Sequence, residues 1–181
     1  MKKLYTIVVL LIFTFVISAC SSKSSTSTVV EPTDQQKAVE QKNSNETQKL
    51  VIKKYATDIS GPIQSAALAL SEFDQLRKNV SSQIIGTDVF LASTREIGSR
   101  LDKSKRELEL IEVSDDLPDD LKASHQSMIR IVGGMSDSIW GILDSFEKND
   151  VEKLRENMEK LNGFGQEINK HAETLGKYAP K

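Results

Sequence analysis

Cysteine occurs once in these 181 residues, at Cys20, so no disulfide can close within the chain and any folded domain must stand on packing alone. Histidine occurs only twice, which leaves few groups for acid–base work near neutral pH. No phosphate-binding glycine loop, nucleophile elbow or zincin pattern can be found. No alternating apolar run is bounded by hairpin signals, which argues against a sheet. Lysine and arginine nowhere interleave with aromatics along one face, so the electrostatic footprint of a nucleic-acid binder is missing. The one long apolar run, Leu4 to Ile17, is broken by Thr6 and Thr14. It is shorter than the roughly 20 helical residues that span a bilayer.

Lys2 and Lys3 precede that run, and small residues follow it, which is the layout of a secretory signal. It ends in Ile17-Ser18-Ala19-Cys20, an aliphatic residue, two small residues and a cysteine. The tetrapeptide resembles the lipobox of bacterial lipoprotein precursors. That resemblance implies a diacylglyceryl thioether on Cys20 and cleavage between Ala19 and Cys20. The thioether needs a nucleophilic sulfur at the membrane face, and the peptidase needs small residues to approach the bond. Two acyl chains, as in a palmitate-bearing anchor, give durable attachment where one is marginal. The mature chain is therefore expected to be anchored to the extracytoplasmic face of the cell membrane without spanning it. Loss of residues 1–19 removes Lys2 and Lys3 from a chain whose net charge is already −2. A mildly acidic product is a poor general partner for nucleic acid or anionic headgroups.

Residues 20–46 begin with the lipidation site and continue as SSKSSTSTVVEPTDQQKAVEQKNSNE, poor in apolar residues and without an aromatic. Such a stretch buries too little surface to offset its ordering entropy, so it reads as a disordered tether with transient helix over 35–42. Its reach is about 30 Å if it behaves as a flexible linker. Residues 47–181 are periodic throughout. Ile52, Tyr55, Ile59, Ile63, Ala66, Leu70 and Phe73 step by threes and fours, which predicts a first helix from Thr47 to Lys78 with a kink at Pro62. Phe90, Ile97, Leu101 and Leu108 mark a second, capped by Ser81 or Ser82 or beginning near Thr87-Asp88 because Gly86 weakens the entry. "EVSDDL" (112–117) is a loop, and Pro118 suits the first position of a third helix through Leu121, His125, Met128, Val132, Met135, Ile139, Ile142 and Phe146. Asn149 with Glu152 resembles a capping box for the fourth, which ends at Gly176. The expected fold is a single all-α domain, an elongated antiparallel up-down four-helix bundle. The alternative is a three-helix bundle with the region before Pro62 as an extra N-terminal helix.

Residues able to carry chemistry are few. His125 takes a core-facing position between Leu121 and Met128, as a satisfied core histidine or as a ligand. His171 lies one turn after Glu167, and two ligands alone make a weak metal site. Gly133 and Gly134 precede the only tryptophan, Trp140, and His125, Gly133, Gly134 and Trp140 together are a possible partner or ligand notch; close packing of aromatic bulk against glycine is the other reading. No catalytic set, cofactor or metal is assigned, and the chain is read as a non-enzyme. The mixed-sign run "DKSKREL" from Asp102 reads as a solvated face.

The lipobox, serine-rich tether and helical body together resemble small lipoproteins of Gram-positive bacteria, especially bacilli, that carry uncharacterised domains. "DLPDDLKASHQSM" and "SFEKNDVEKLRENM" are similar to a recurring pattern in those domains: a proline-led helix with an early histidine, then an Asn-Asp turn into the last helix. The resemblance implies a cell-surface location and brings no activity with it. The expected function is a non-enzymatic interaction module for an envelope or membrane-protein partner. A small-molecule or metal carrier, and an exclusion lipoprotein of a phage or mobile element, are the alternatives.

Overall fold

Among the described residues the three-four spacing of apolar residues resolves into four helices: α1 (Pro32–Ser81), α2 (Thr87–Glu109), α3 (Asp119–Glu147) and α4 (Val151–Gly176). The computed structural model describes residues 32–178, with side chains from Glu46 onward apart from Asn169 and Ala172. The lipobox residues Ile17, Ser18, Ala19 and Cys20 lie outside the described residues. Among the described residues there is no strand, and no helix is long and apolar enough to cross a membrane.

The first helix begins fifteen residues before the expected Thr47 and takes in part of the stretch read as a tether. Composition accounts for the difference. Residues 35–42 are mostly glutamine, lysine, glutamate and alanine, all good helix formers, and Pro32 suits a first helical position. Once packing beyond residue 50 has nucleated the helix, each residue added costs little. The same helix runs unbroken through Gly61-Pro62. Tyr55 and Ile59, which precede Pro62, are buried in the same core as Ala66 and Phe73. The region before Pro62 is thus part of the core.

Every seam between consecutive helices carries bulky apolar contacts inside and one arginine–glutamate pair at its rim. Phe73 of α1 meets Phe90 of α2 at 6.2 Å between ring centroids, and Phe90 meets Phe146 of α3 at 5.6 Å. Arg100 pairs with Glu72, Arg95 with Glu147, and Arg130 with Glu167. Exposed pairs of this kind contribute at most about 1 kcal/mol each, so they mark register more than they hold the fold. Their partners run in opposite order along the two helices: Arg95 and Asp102 of α2 meet Glu147 and Ser136 of α3.

α3 packs against α2 and α4 and meets α1 where His125 reaches Tyr55. Leu121, Met128, Val132, Met135, Ile139 and Ile142 of its predicted stripe are all buried, and Phe146 is half-buried at the end. A second buried face runs alongside through Ser124, Ile131, Ser138 and Ser145, with Gly134 and Gly141 between them. The hydroxyls of Ser138 and Ser145 are satisfied within the helix, donating to the carbonyls of Gly134 and Gly141 at 2.7 and 2.6 Å.

Two tight turns close the ends. After α1, the N–H of Gln83 donates to Val80 and that of Ile84 to Asn79, and Gln83 takes a left-handed φ of 56°. After α3, Asn149 (φ 55°) donates to Phe146 and Asp150 to Ser145, the same Schellman pattern. Neither Ser81 nor Ser82 caps α2, because both are used in finishing α1; the N-cap is Gly86. The residue capping α4 is Asp150, whose carboxylate accepts from Lys153 N–H at 3.0 Å, and not Asn149 as the capping-box reading has it. Asparagine is instead used for its tolerance of the left-handed region, which glutamine lacks. The first turn therefore carries a cost the second does not. Gln83→Gly is expected to raise the unfolding free energy by about 0.5–1 kcal/mol, and Asn149→Gly by less, in urea titrations of the two variants.

Candidate functional site

Trp140 stands on the outer side of α3 with 38% of its surface exposed. Its position is fixed from two directions. Gly98 on α2 leaves room for the indole, since a methyl group there would lie 2.9 Å from Cε2 of the ring. Asp102, one turn further along α2, accepts from the indole Nε1–H at 3.0 Å through one carboxylate oxygen. Its other oxygen accepts from the Ser136 hydroxyl at 2.5 Å. Residues four apart on α2 (Gly98, Asp102) thus grip residues four apart on α3 (Ser136, Trp140), and a charged acceptor strengthens both hydrogen bonds. The result is a half-exposed aromatic ring held in one orientation.

The residues proposed with Trp140 as a notch do not gather round it. Gly134 faces α4, where the Phe164 ring fills the space a side chain would need. Gly133 faces α2 under the Lys105 stem, where a methyl group would lie 3.4 Å from the nearest carbons. His125 is fifteen residues before Trp140 on the same helix, about 22 Å along the axis at 1.5 Å per residue. Gly134 and Gly98 serve close packing, each against one aromatic ring.

His125 is 2% exposed. Its Nδ1 lies 3.5 Å from the Tyr55 hydroxyl, and the two rings meet edge to face at 5.8 Å. Burial pushes the imidazole below its ordinary pKa, partly offset by the Leu108 carbonyl. Burial also raises the Tyr55 phenol, which stays neutral at any ordinary pH. His171 is half-buried, and its Nδ1 lies 2.9 Å from the Ser124 hydroxyl. Its pKa is lowered, first by burial and then by the Arg130 charge, with Glu167 opposing. Glu167 pairs with Arg130 and so is drawn away from the chelating arrangement its spacing to His171 suggests. Among the described residues no three His, Cys, Asp or Glu side chains are grouped to hold a metal ion. An open hollow of about 450 Å³ lies over the α1–α2 seam and is lined by Glu72, Glu96, Ser99, Arg100 and Lys103.

Asp102 and Ser136 are neighbours of Trp140 that the sequence reading does not single out, and Gly98 is there only one of several glycines inside helices that are tolerated or let helices approach closely. Asp102 sits in a run of mixed charges that looks uniformly solvated, and only its spacing of four from Gly98 distinguishes it. No family model, curated protein or solved structure matches the chain.

Because Trp140 rests on the bare backbone of α2, its environment reports that contact. Gly98→Ala is expected to lift the indole off α2, shifting its fluorescence to the red and weakening the hydrogen bond to Asp102, with a stability loss of about 1 kcal/mol or more. Since Trp140 is the only tryptophan, the emission spectrum of the folded variant reads this directly.

Proposed function

We propose that the mature chain is a lipoprotein anchored through Cys20 at the outer face of the cell membrane, whose helices form an elongated antiparallel up-down bundle that acts as a non-enzymatic interaction module. The observation that carries the reading is Trp140. A tryptophan left half-exposed, hydrogen-bonded and immobilised is the residue type that dominates protein interfaces, because little conformational entropy remains to be lost when a partner covers it. Its rim is polar: the Arg95–Glu147 pair lies two helical turns along α3, and Lys105 lies on the α2 side. An apolar centre with a charged rim suits a protein partner in the envelope or membrane better than a lipid surface.

The short turns at 82–86 and 148–150 and the opposed order of contacts along neighbouring helices support the antiparallel arrangement. A rod of this kind is about 42 Å long for a helix of 28 residues, which presents Trp140 away from the ends. The lipobox supports the anchor, and an anchored module with some freedom to move meets membrane-bound partners at a raised effective concentration.

Proximity crosslinking in living cells tests both parts. With the native precursor, a discrete partner is expected; Trp140→Ala should lose it while the protein still folds and fractionates with membranes. Cys20→Ala should leave an uncleaved or unanchored protein. A crosslinking pattern unchanged by Trp140→Ala contradicts the interaction face, and unaltered membrane retention of Cys20→Ala contradicts the anchor.

A further inference from the structure

Among the described residues, one pair of buried titratable side chains is in contact, Tyr55 with His125, where the first half of α1 meets α3. Tyr55 and Ile59 are the buried residues of α1 before Pro62, at 3% and 2% exposure, and Tyr55 reaches His125 across the helix interface. Pro62 has no N–H to give the Asp58 carbonyl, and its neighbour Gly61 has open space around it. Just before them the hydroxyls of Thr57 and Ser60 turn back onto the carbonyls of Lys53 and Thr57, a habit that loosens a helix locally. The backbone of α1 is therefore weakest at the point that separates Tyr55 and Ile59 from the rest of its buried stripe.

The groups facing the His125 ring are the Tyr55 hydroxyl from α1 and the Leu108 carbonyl from α2. From α4, His171 is bonded to Ser124, the residue before His125 on α3. No carboxylate or cation acts on the ring. Neutral imidazole and phenol bring two hydrogens to this place, and the acceptors present are the second ring nitrogen, the phenol oxygen and the carbonyl. Protonation adds a donor and deletes an acceptor at once. Three hydrogens then face the phenol oxygen and one carbonyl, with a charge buried and no counter-charge beside it.

We propose that the Tyr55–His125 contact is an acid-sensitive latch, holding the first half of α1 on the bundle when His125 is neutral and releasing it about Gly61-Pro62 when His125 takes a proton. The released half carries the chain leading back to Cys20. Opening would uncover the apolar stripe of Ile52, Tyr55 and Ile59 together with the surface of α3 beneath it. The sign follows from the lowered pKa of the closed form. Closure is fully favoured above the ordinary imidazole value near 6.5 and is lost progressively as the pH falls below it.

Backbone hydrogen exchange on the full mature chain, from pH 7 to 5 with intrinsic rates corrected, tests the latch. The opening constant of amides in residues 51–60 should rise about tenfold per pH unit below about 6.5, the slope of a one-proton linkage, while staying well above that of residues 128–142. His125→Gln should remove the slope in residues 51–60, and His171→Gln should leave it. A flat profile in residues 51–60, a slope that survives His125→Gln, or opening constants that coincide with those of residues 128–142 would each overturn the proposal. The last two segments can be compared in the native protein alone, so the test stands even if His125→Gln does not fold.

Discussion

The fold depends on α3 being packed from more than one side. A chain without disulfides must obtain its stability from burial, and α3 supplies much of it by burying 13 of its 29 residues. Its predicted stripe presents large side chains toward α1 and α2. The parallel stripe of Ser124, Ile131, Gly134, Ser138, Gly141 and Ser145 presents mostly small side chains toward α4. Into that shallow face α4 inserts Phe164 over Gly134 and Asn157 over Gly141, where added methyl groups would collide with both. Bulk on one side and its absence on the other bring both neighbours to packing distance, at a density that tolerates no extra methyl group.

The same device, used on the outer surface, makes the candidate interaction site. Gly98 is to Trp140 what Gly134 is to Phe164, a place where missing bulk on one helix seats a ring from the next. The difference lies in the second partner. Phe164 is half-buried against α3 and packed on the core, whereas Trp140 has a carboxylate on its indole N–H and solvent over its other face. Packing of the kind that stabilises the core therefore also fixes an aromatic surface, which links the architecture to the proposed function. At the other end of α3 the packing includes a histidine in place of an aliphatic side chain, and burial lowers its pKa.

Much of this was legible in the residues. The stripes through Tyr55, Ile97 and Met128 follow the helical period without a break, and each of these side chains is buried. The small-residue stripe of α3 has the same three-four spacing but carries no hydrophobic signal, because serine and glycine are read as polar or as helix-weakening. Its meaning comes only from Phe164 and Asn157 on another helix. Asn149 and Asp150 look interchangeable as caps; the finishing of α3 decides between them by placing Asn149 in the left-handed region, which leaves Asp150 to begin α4. Asp102 was hidden by its charged neighbours, since a carboxylate that grips a tryptophan and one that faces water have the same sequence. The start of α1 was misplaced because a polar segment of good helix formers has no apolar face to reveal it.

The most direct test of the account is one chemical change made at two glycines within helices. Gly134 faces the Phe164 ring, and Gly163 has open space where a side chain would stand. Measured by urea unfolding, Gly163→Ala should raise the unfolding free energy by about 0.5–1 kcal/mol through helix propensity, and Gly134→Ala should lower it by about 1–3 kcal/mol through overpacking. If both variants gain stability, α4 does not lie close against the small-residue face of α3, and the account of the fold is wrong.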